Sequence, residues 1–166
     1  MKGGLTMEKK GISAVVATVL IILITVAAVT IIWAAIIPMI NNQLSKGTIC
    51  LDAISQLSIE NKGYTCIEGN DLKIQIGHGA TNFDLADIQV LISSNGSTES
   101  INLVGDAGIL FADLPGTNEE RTVTILDAVM TTNAADIDTV NIAPIVTVGD
   151  TTEACEALSP VLIKTC

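Results

Sequence analysis

Four cysteines carry the clearest chemistry in this 166-residue chain. Cys50, Cys66, Cys155 and Cys166 all follow a long apolar run near the N-terminus. An even number of cysteines beyond such a run is typical of disulfide bonds in an oxidising compartment. Three pairings are possible. We predict one disulfide between Cys50 and Cys66 and another between Cys155 and Cys166, because each bond closes a short local loop. A loop of about 15 residues contributes about 3 kcal/mol in the chain-entropy treatment.

Other reactive side chains form no catalytic or metal-binding pattern. His78 is the one histidine and no CxxC motif is present, so a zinc site is the weaker interpretation of the cysteines. A catalytic base needs a nucleophile in reach, so we predict no enzyme and no cofactor. Three acidic pairs could bind Ca²⁺, but EF-hand spacing is missing and solvated loops are the simpler interpretation. They are Asp84 with Asp87, Glu119 with Glu120, and Asp136 with Asp138.

A sequon marks a candidate modification site at Asn95, which is followed by Gly96 and Ser97. The pair Asn95-Gly96 is also a strong hairpin signal, which would expose the asparagine. We predict N-glycosylation at Asn95, with a chance sequon as the alternative.

The element that positions these residues is the uncharged apolar run of residues 12–40. At 1.5 Å per residue a helix of this length reaches roughly 44 Å, more than the ~30 Å hydrocarbon core of a membrane. Lys9 and Lys10 precede the run, so the positive-inside rule leaves them in the cytoplasm and places the residues after 40 outside.

The helix is predicted to continue to about Lys46, where Gly47 would end it, with an extension toward Leu57 as the alternative. Pro38 predicts a kink, because proline removes a helical hydrogen bond. Small residues recur along the run and would let helices approach closely. The residues predicted to pack against other helices are Val16, Ala17, Leu20, Ile24, Ala28, Trp33 and Pro38.

The rest of the chain, residues 47–166, predicts short β-strands with frequent turns. Alternating runs such as Leu72–Ile76 and 121–126 indicate a sandwich of immunoglobulin-like size, and Pro144 indicates an edge strand or a bulge. We therefore predict an α+β fold, a long N-terminal hydrophobic helix followed by an all-β immunoglobulin-like sandwich, with the shape of a lollipop. Beyond residue 11 the chain has 5 basic and 17 acidic side chains, which excludes nucleic acid as a plausible partner.

The N-terminal residues resemble the start of an archaeal type IV pilin, a family whose precursors carry a class III signal peptide. The resemblance rests on Lys9-Lys10-Gly11 followed by the apolar sequence from Ile12, and it covers residues 9 to about 33. It implies that an archaeal prepilin peptidase removes the leader, residues 1–11, by cutting between Gly11 and Ile12. Met7 is an alternative start. Bacterial relatives keep a glutamate five residues after the cut, where this chain has Val16.

The resemblance implies a structural subunit that polymerises through its helix, residues 12–46, into an extracellular adhesive filament at the archaeal cell surface. Its partners would be other copies of itself, the peptidase, an assembly ATPase and a membrane platform protein, with the cytoplasmic membrane holding the precursor. The alternatives are an archaellin, a minor pilin, or a single-pass anchored extracellular β domain that does not polymerise. The residues after the cut, from Ser13 to Val16, lack the glycine-rich opening usual in archaellins.

Overall fold

The structure is a computed structural model that describes residues 14–61 and 63–166. A single long helix, α1 (Ala14–Gln56), is followed by a region of antiparallel β-sheet. The chain divides into two compact units, Met1–Gln43 and Leu44–Cys166, so the last turns of α1 belong to the β unit. The predicted class, an apolar helix followed by an all-β sandwich, is confirmed.

The helix extends beyond its predicted end at Lys46, so that prediction was wrong. The domain boundary predicted at residue 47 falls inside α1. Gly47 lies inside α1, which ends at Gln56, close to the alternative end. The backbone N–H of Gly79 donates to the carbonyl oxygen of Gln56 at 2.8 Å, and the N–H of Thr81 donates to its side-chain oxygen at 3.1 Å. The last turn is therefore satisfied by a distant loop and needs no glycine of its own.

Among the described residues after α1, the chain forms nine strands in two sheets. In one sheet, β1 and β2 pair with opposite ends of β3 along the same edge, and β6 pairs along its other edge. The second sheet has the order β5-β4-β7-β8, and β9 pairs with β7 on the same edge as β8. Two short 3-10 helices, Phe111–Asp113 and Ala134–Asp136, lie in the connections. The strands are β1 (Leu57–Ile59), β2 (Cys66–Glu68), β3 (Asp71–His78), β4 (Leu85–Ser94), β5 (Ser97–Asn102), β6 (Glu119–Ile125), β7 (Thr139–Val148), β8 (Thr151–Ala154) and β9 (Val161–Leu162).

One aliphatic core lies between the two sheets. Alternate residues of β3 and β4, such as Ile74, Ile76, Val90 and Ile92, are fully buried because successive side chains of a strand point to opposite faces. A second, smaller cluster packs Ala53 of α1 against Val146 of β7. Valine, leucine and isoleucine supply most of the core, as the 2% aromatic content predicts.

Pro144 lies on an interior strand, so the predicted edge position was wrong. β7 pairs with β4 on one side and with β8 and β9 on the other. The carbonyl of Pro144 accepts the N–H of Cys155 at 2.9 Å, and the N and O of one residue point to the same side of a strand. The missing N–H therefore points away from β4, beside Cys155 just beyond the end of β8, so the ladder between β7 and β4 loses no bond. The predicted bulge is present, but on the partner strand β4, between Leu85 and Asp87.

The disulfides differ from the predicted pairing, which was wrong. Cys50 bonds to Cys155 and Cys66 bonds to Cys166, across sequence separations of 105 and 100 residues. Cys50 lies on α1, whose last turns pack beside β7 and so beside the residue that follows β8. The C-terminal segment runs along β2, where Ile67 exchanges backbone hydrogen bonds of 2.9 Å with the segment at Lys164 and Cys166. Tertiary neighbours therefore decide the pairing, and local loop length does not.

Replacing Cys50 and Cys155 together by alanine should lower the free energy of unfolding by about 4 to 5 kcal/mol, because the bond closes a loop of roughly 100 residues. Denaturant unfolding of the full chain in detergent micelles measures this change. Non-reducing peptide mapping of the wild type should yield one peptide that joins Cys50 to Cys155. A peptide joining Cys50 to Cys66 would contradict the structure.

Candidate functional site

The first candidate site is the apolar part of α1, residues 14–43. Its most apolar window has none of its residues buried, and the helix is long and apolar enough to cross a membrane. Large side chains stand in the open along its length, with Val15 69% and Trp33 66% exposed. An uncovered apolar surface of this extent needs a membrane or other protein to cover it.

Polar side chains within this segment are satisfied by the helix itself. The hydroxyls of Thr18, Thr25 and Thr30 each donate to the backbone carbonyl three residues earlier, at 2.8 to 2.9 Å. A hydroxyl that bonds within its own helix presents no unpaired donor to an apolar environment. The segment can therefore enter lipid or pack against other helices without leaving a polar group unpaired on these side chains.

The alanines of the segment are unevenly distributed around the helix. At 3.6 residues per turn its six alanines fall within an arc of about 160°, and Trp33 falls on the opposite side. These alanines are Ala14, Ala17, Ala27, Ala28, Ala34 and Ala35. Of the predicted packing residues, Val16, Leu20, Ile24 and Pro38 share the alanine face with Ala17 and Ala28. All seven lie on α1, and Pro38 lies inside the continuous helix; the kink expected there stays a prediction.

The predicted cleavage residues Lys9, Lys10, Gly11 and Ile12 lie outside the described residues. The cut between Gly11 and Ile12 therefore stays a prediction.

The predicted glycosylation residue, Asn95, lies at the tip of the β4–β5 hairpin. Asn95 and Gly96 both have positive φ, 48° and 81°, as the two-residue turn of a tight hairpin requires. Asn95 is exposed, and its backbone N–H donates to a carboxylate oxygen of Asp138 at 2.9 Å. The hairpin prediction is confirmed, and its geometry leaves the side chain accessible for modification.

Some of the acidic side chains considered for calcium accept hydrogen bonds from backbone amides. Asp87 accepts N–H bonds from Ile88, Val104 and Gly105, at 2.7 to 3.3 Å. Such bonds hold the segment after β5 against the start of β4. Among residues 14–61 and 63–166, no group of three or more histidine, cysteine and acidic side chains could hold a metal ion.

His78 closes the end of β3, where it is buried with an exposed fraction of 6%. Its Nδ1 lies 3.0 Å from the carbonyl oxygen of Pro115 and its Nε2 lies 3.2 Å from that of Thr81. Its ring centroid is 4.7 Å from that of Phe83. Both ring nitrogens thus lie within hydrogen-bond distance of backbone carbonyls, which can only accept, so a neutral ring donates to one of them. The two contacts place the ring between two loops. The sequence marked His78 only as a residue of a turn at a strand end.

Two glutamates hold loops through charged hydrogen bonds. Partial burial raises the pKa of Glu99, but the hydrogen bonds from Thr131 and Thr132 together lower it by more. The pKa of Glu99 therefore lies below its ordinary value of 4.5. The backbone N–H of Gly116 and, secondly, the side chain of Arg121 lower the pKa of Glu119. Hydrogen bonds that favour the charged carboxylate cause both shifts. Sequence patterns do not reveal the Glu99 contacts, because they join β5 to the segment after β6.

The lowered pKa of Glu99 predicts how stability depends on pH. Its folded pKa lies below its unfolded pKa, so its contribution is present above about pH 4.5 and is lost as pH falls through the folded pKa. Glu99→Gln should lower the unfolding midpoint at pH 7, and the difference from wild type should disappear in acid. Thermal unfolding followed by circular dichroism measures both.

The matched control is Glu156→Gln, which removes an exposed carboxylate in the segment after β8. Its difference from wild type should not shrink in acid in the same way. A Glu99→Gln difference that stays constant from neutral to acid pH would refute the charged hydrogen bonds.

Comparison of the chain with protein-family models, with curated proteins and with solved structures found no match in any of the three.

Proposed function

We propose that this chain is the structural subunit of an archaeal type IV-like pilus, an adhesive filament built by packing the apolar helix of many copies. The observation that carries the proposal is the apolar segment of α1, which is uncharged over residues 14–40 and exposed in the isolated chain. Residues 9–33 resemble archaeal pilins, and this resemblance implies that the helix occupies a second environment after lipid, the core of a filament.

The proposed assembly follows from charge. Lys9 and Lys10 hold the uncut precursor in the membrane with its N-terminus inside, since moving charged groups through the hydrocarbon core is costly. A peptidase cut after Gly11 removes both lysines. The new N-terminus at Ile12 carries an amino group, but the remaining helix has no charged side chain as far as residue 45, so it can leave lipid and exchange lipid contacts for contacts with other copies.

Packing in the filament has to do without a charge pair near the cut, because Val16 stands where bacterial pilins have glutamate. The alanine face of α1 supplies an alternative, since small side chains let helix backbones approach closely. Because the threonine hydroxyls are already bonded within the helix, they require no hydrogen bond between subunits. Packing between helices can then depend on side-chain shape alone. We infer that this face sets the register between subunits.

The β domain would then coat the outside of the filament, where its disulfides and the Asn95 hairpin suit an extracellular setting. The contrasting candidate is a single-pass anchored β domain that never polymerises. It accounts for the exposed helix equally well, but it gives no role to the leader motif or to the segregation of the alanines.

Gly11→Val tests the role of the cut. The substitution should block processing, keep the lysines on the helix and abolish surface filaments, as seen by electron microscopy of surface preparations. Gly4→Val, the same substitution elsewhere in the leader, should leave filaments and processing unchanged. Mass spectrometry of wild-type filaments should find Ile12 at the N-terminus. Filaments built from the uncut Gly11→Val chain would refute the mechanism.

Ala28→Leu tests the packing face. The larger side chain keeps the helix apolar, so the precursor should still insert in the membrane, but the alanine face can no longer approach a neighbour closely. Filament yield should fall at least about tenfold, whereas Val26→Leu, on the opposite side, should assemble nearly normally. Equal yields from the two variants would show that the alanine face does not set the packing.

A further inference from the structure

We propose that a cavity in the β domain, between the β3–β4 loop and the segment before β6, binds an uncharged saccharide. The inference deepens the adhesive part of the proposed function and depends on it for its biological use. Binding itself can be measured without any filament.

The cavity has a volume of about 380 Å³, is open to solvent on one side, and is lined by chain segments that hydrogen bonds tie together. His78 lies at its base and contacts the carbonyl of Thr81 in one wall and that of Pro115 in the other. The N–H of Asn118 also donates to the carbonyl of Gly79 at 3.0 Å. Ligand sites are usually concave and largely formed before binding, with volumes from about 300 Å³ upward. This cavity meets both conditions.

Aromatic side chains are concentrated at this cavity. The chain has four phenylalanine, tyrosine and tryptophan residues in all, and two of them, Phe83 and Phe111, line the cavity. Phe83 packs on the His78 ring, whereas Phe111 is 57% exposed at the cavity. An aromatic ring left open in a concave site offers a flat apolar surface to a ligand. The C–H face of a sugar ring matches such a surface.

Polar groups suited to hydroxyl recognition surround the rings. Asn82, Asp84 and Thr117 are exposed and line the same cavity. The Thr117 hydroxyl lies 3.4 Å from the side-chain oxygen of Asn82, so the two loops present their donors and acceptors side by side. An amide, a carboxylate and a hydroxyl together can donate to and accept from the vicinal hydroxyls of a sugar.

The charges at the cavity disfavour an anionic ligand. Arg121, the cation in its lining, donates from Nε to Glu119 at 2.7 Å and pairs with Asp113 at 3.5 Å. Its positive charge is therefore already balanced by two carboxylates. Asp84 adds a negative charge, and the chain as a whole has a net charge of −10. An anionic ligand would be repelled, and the exposed ring with its surrounding amide and hydroxyl groups fits a neutral polyhydroxylated one.

The test is binding of the full chain to immobilised oligosaccharides. The chain is purified in a zwitterionic detergent, because alkyl-glycoside detergents would themselves present a sugar. The probes are neutral hexose and N-acetylhexosamine oligosaccharides, with uronate-bearing oligosaccharides, sulfated oligosaccharides and short peptides on the same surface. We expect binding to at least one neutral oligosaccharide and to none of the acidic ones.

Phe111→Ala should weaken that binding at least about tenfold, because it removes the exposed ring. Phe111→Tyr keeps the ring and should bind within about twofold of wild type. The matched control is Leu110→Ala, since Leu110 is 69% exposed beside Phe111 but does not line the cavity. It should also bind like wild type. Both positions, 110 and 111, are exposed, so the three variants should keep the fold, which circular dichroism verifies.

Three results would overturn the inference: no neutral oligosaccharide bound, binding to acidic oligosaccharides or peptides only, or binding unchanged in Phe111→Ala. Failure here is separable from failure of the filament proposal. Filaments that form from a chain without saccharide binding would remove this inference alone, and a saccharide-binding chain that never assembles would remove the filament alone.

Discussion

The bond between Cys50 on α1 and Cys155 after β8 fixes where the helix ends against the β region. Around it, Ala53 packs on Val146, Lys46 pairs with Glu153, and the last helical carbonyl accepts the N–H of Gly79. The loop that begins at Gly79 then forms one wall of the saccharide cavity. The position of this loop thus depends on the last turns of α1, which hold it through a hydrogen bond and are themselves held by a disulfide.

The same helix has a very different surface in its first thirty residues. There it offers side chains of low polarity, hydroxyls that are already bonded, and no charge, so its free energy is governed by whatever apolar medium covers it. The β unit behaves in the opposite way, because its aliphatic core is complete within the chain and its surface is acidic. One continuous helix therefore joins an apolar segment with no buried core to a unit that has its own core.

Local patterns were enough to predict the helix, most strands and the Asn95 hairpin. The alternation of apolar and polar residues in 72–76 determines a strand locally, and the Asn-Gly pair determines a tight turn locally. Both signals depend only on residues adjacent in the sequence. The end of α1, the interior position of Pro144 and both disulfides depend on residues far along the chain. The saccharide cavity is similar, since Phe83, His78 and Phe111 come from three separate elements, and no spacing in the sequence joins them.

The order of the cysteines along the chain gives the two disulfides a property that neither has alone. The first and third cysteines are joined, as are the second and fourth, so the two covalent loops overlap. A peptide bond broken anywhere between residues 50 and 166 lies inside at least one loop. The pieces on either side of the break stay bonded, so a single proteolytic nick in an exposed connection such as Gly105–Gly108 would not release a fragment. For a surface domain meeting proteases, damage of this kind would leave the polypeptide in place.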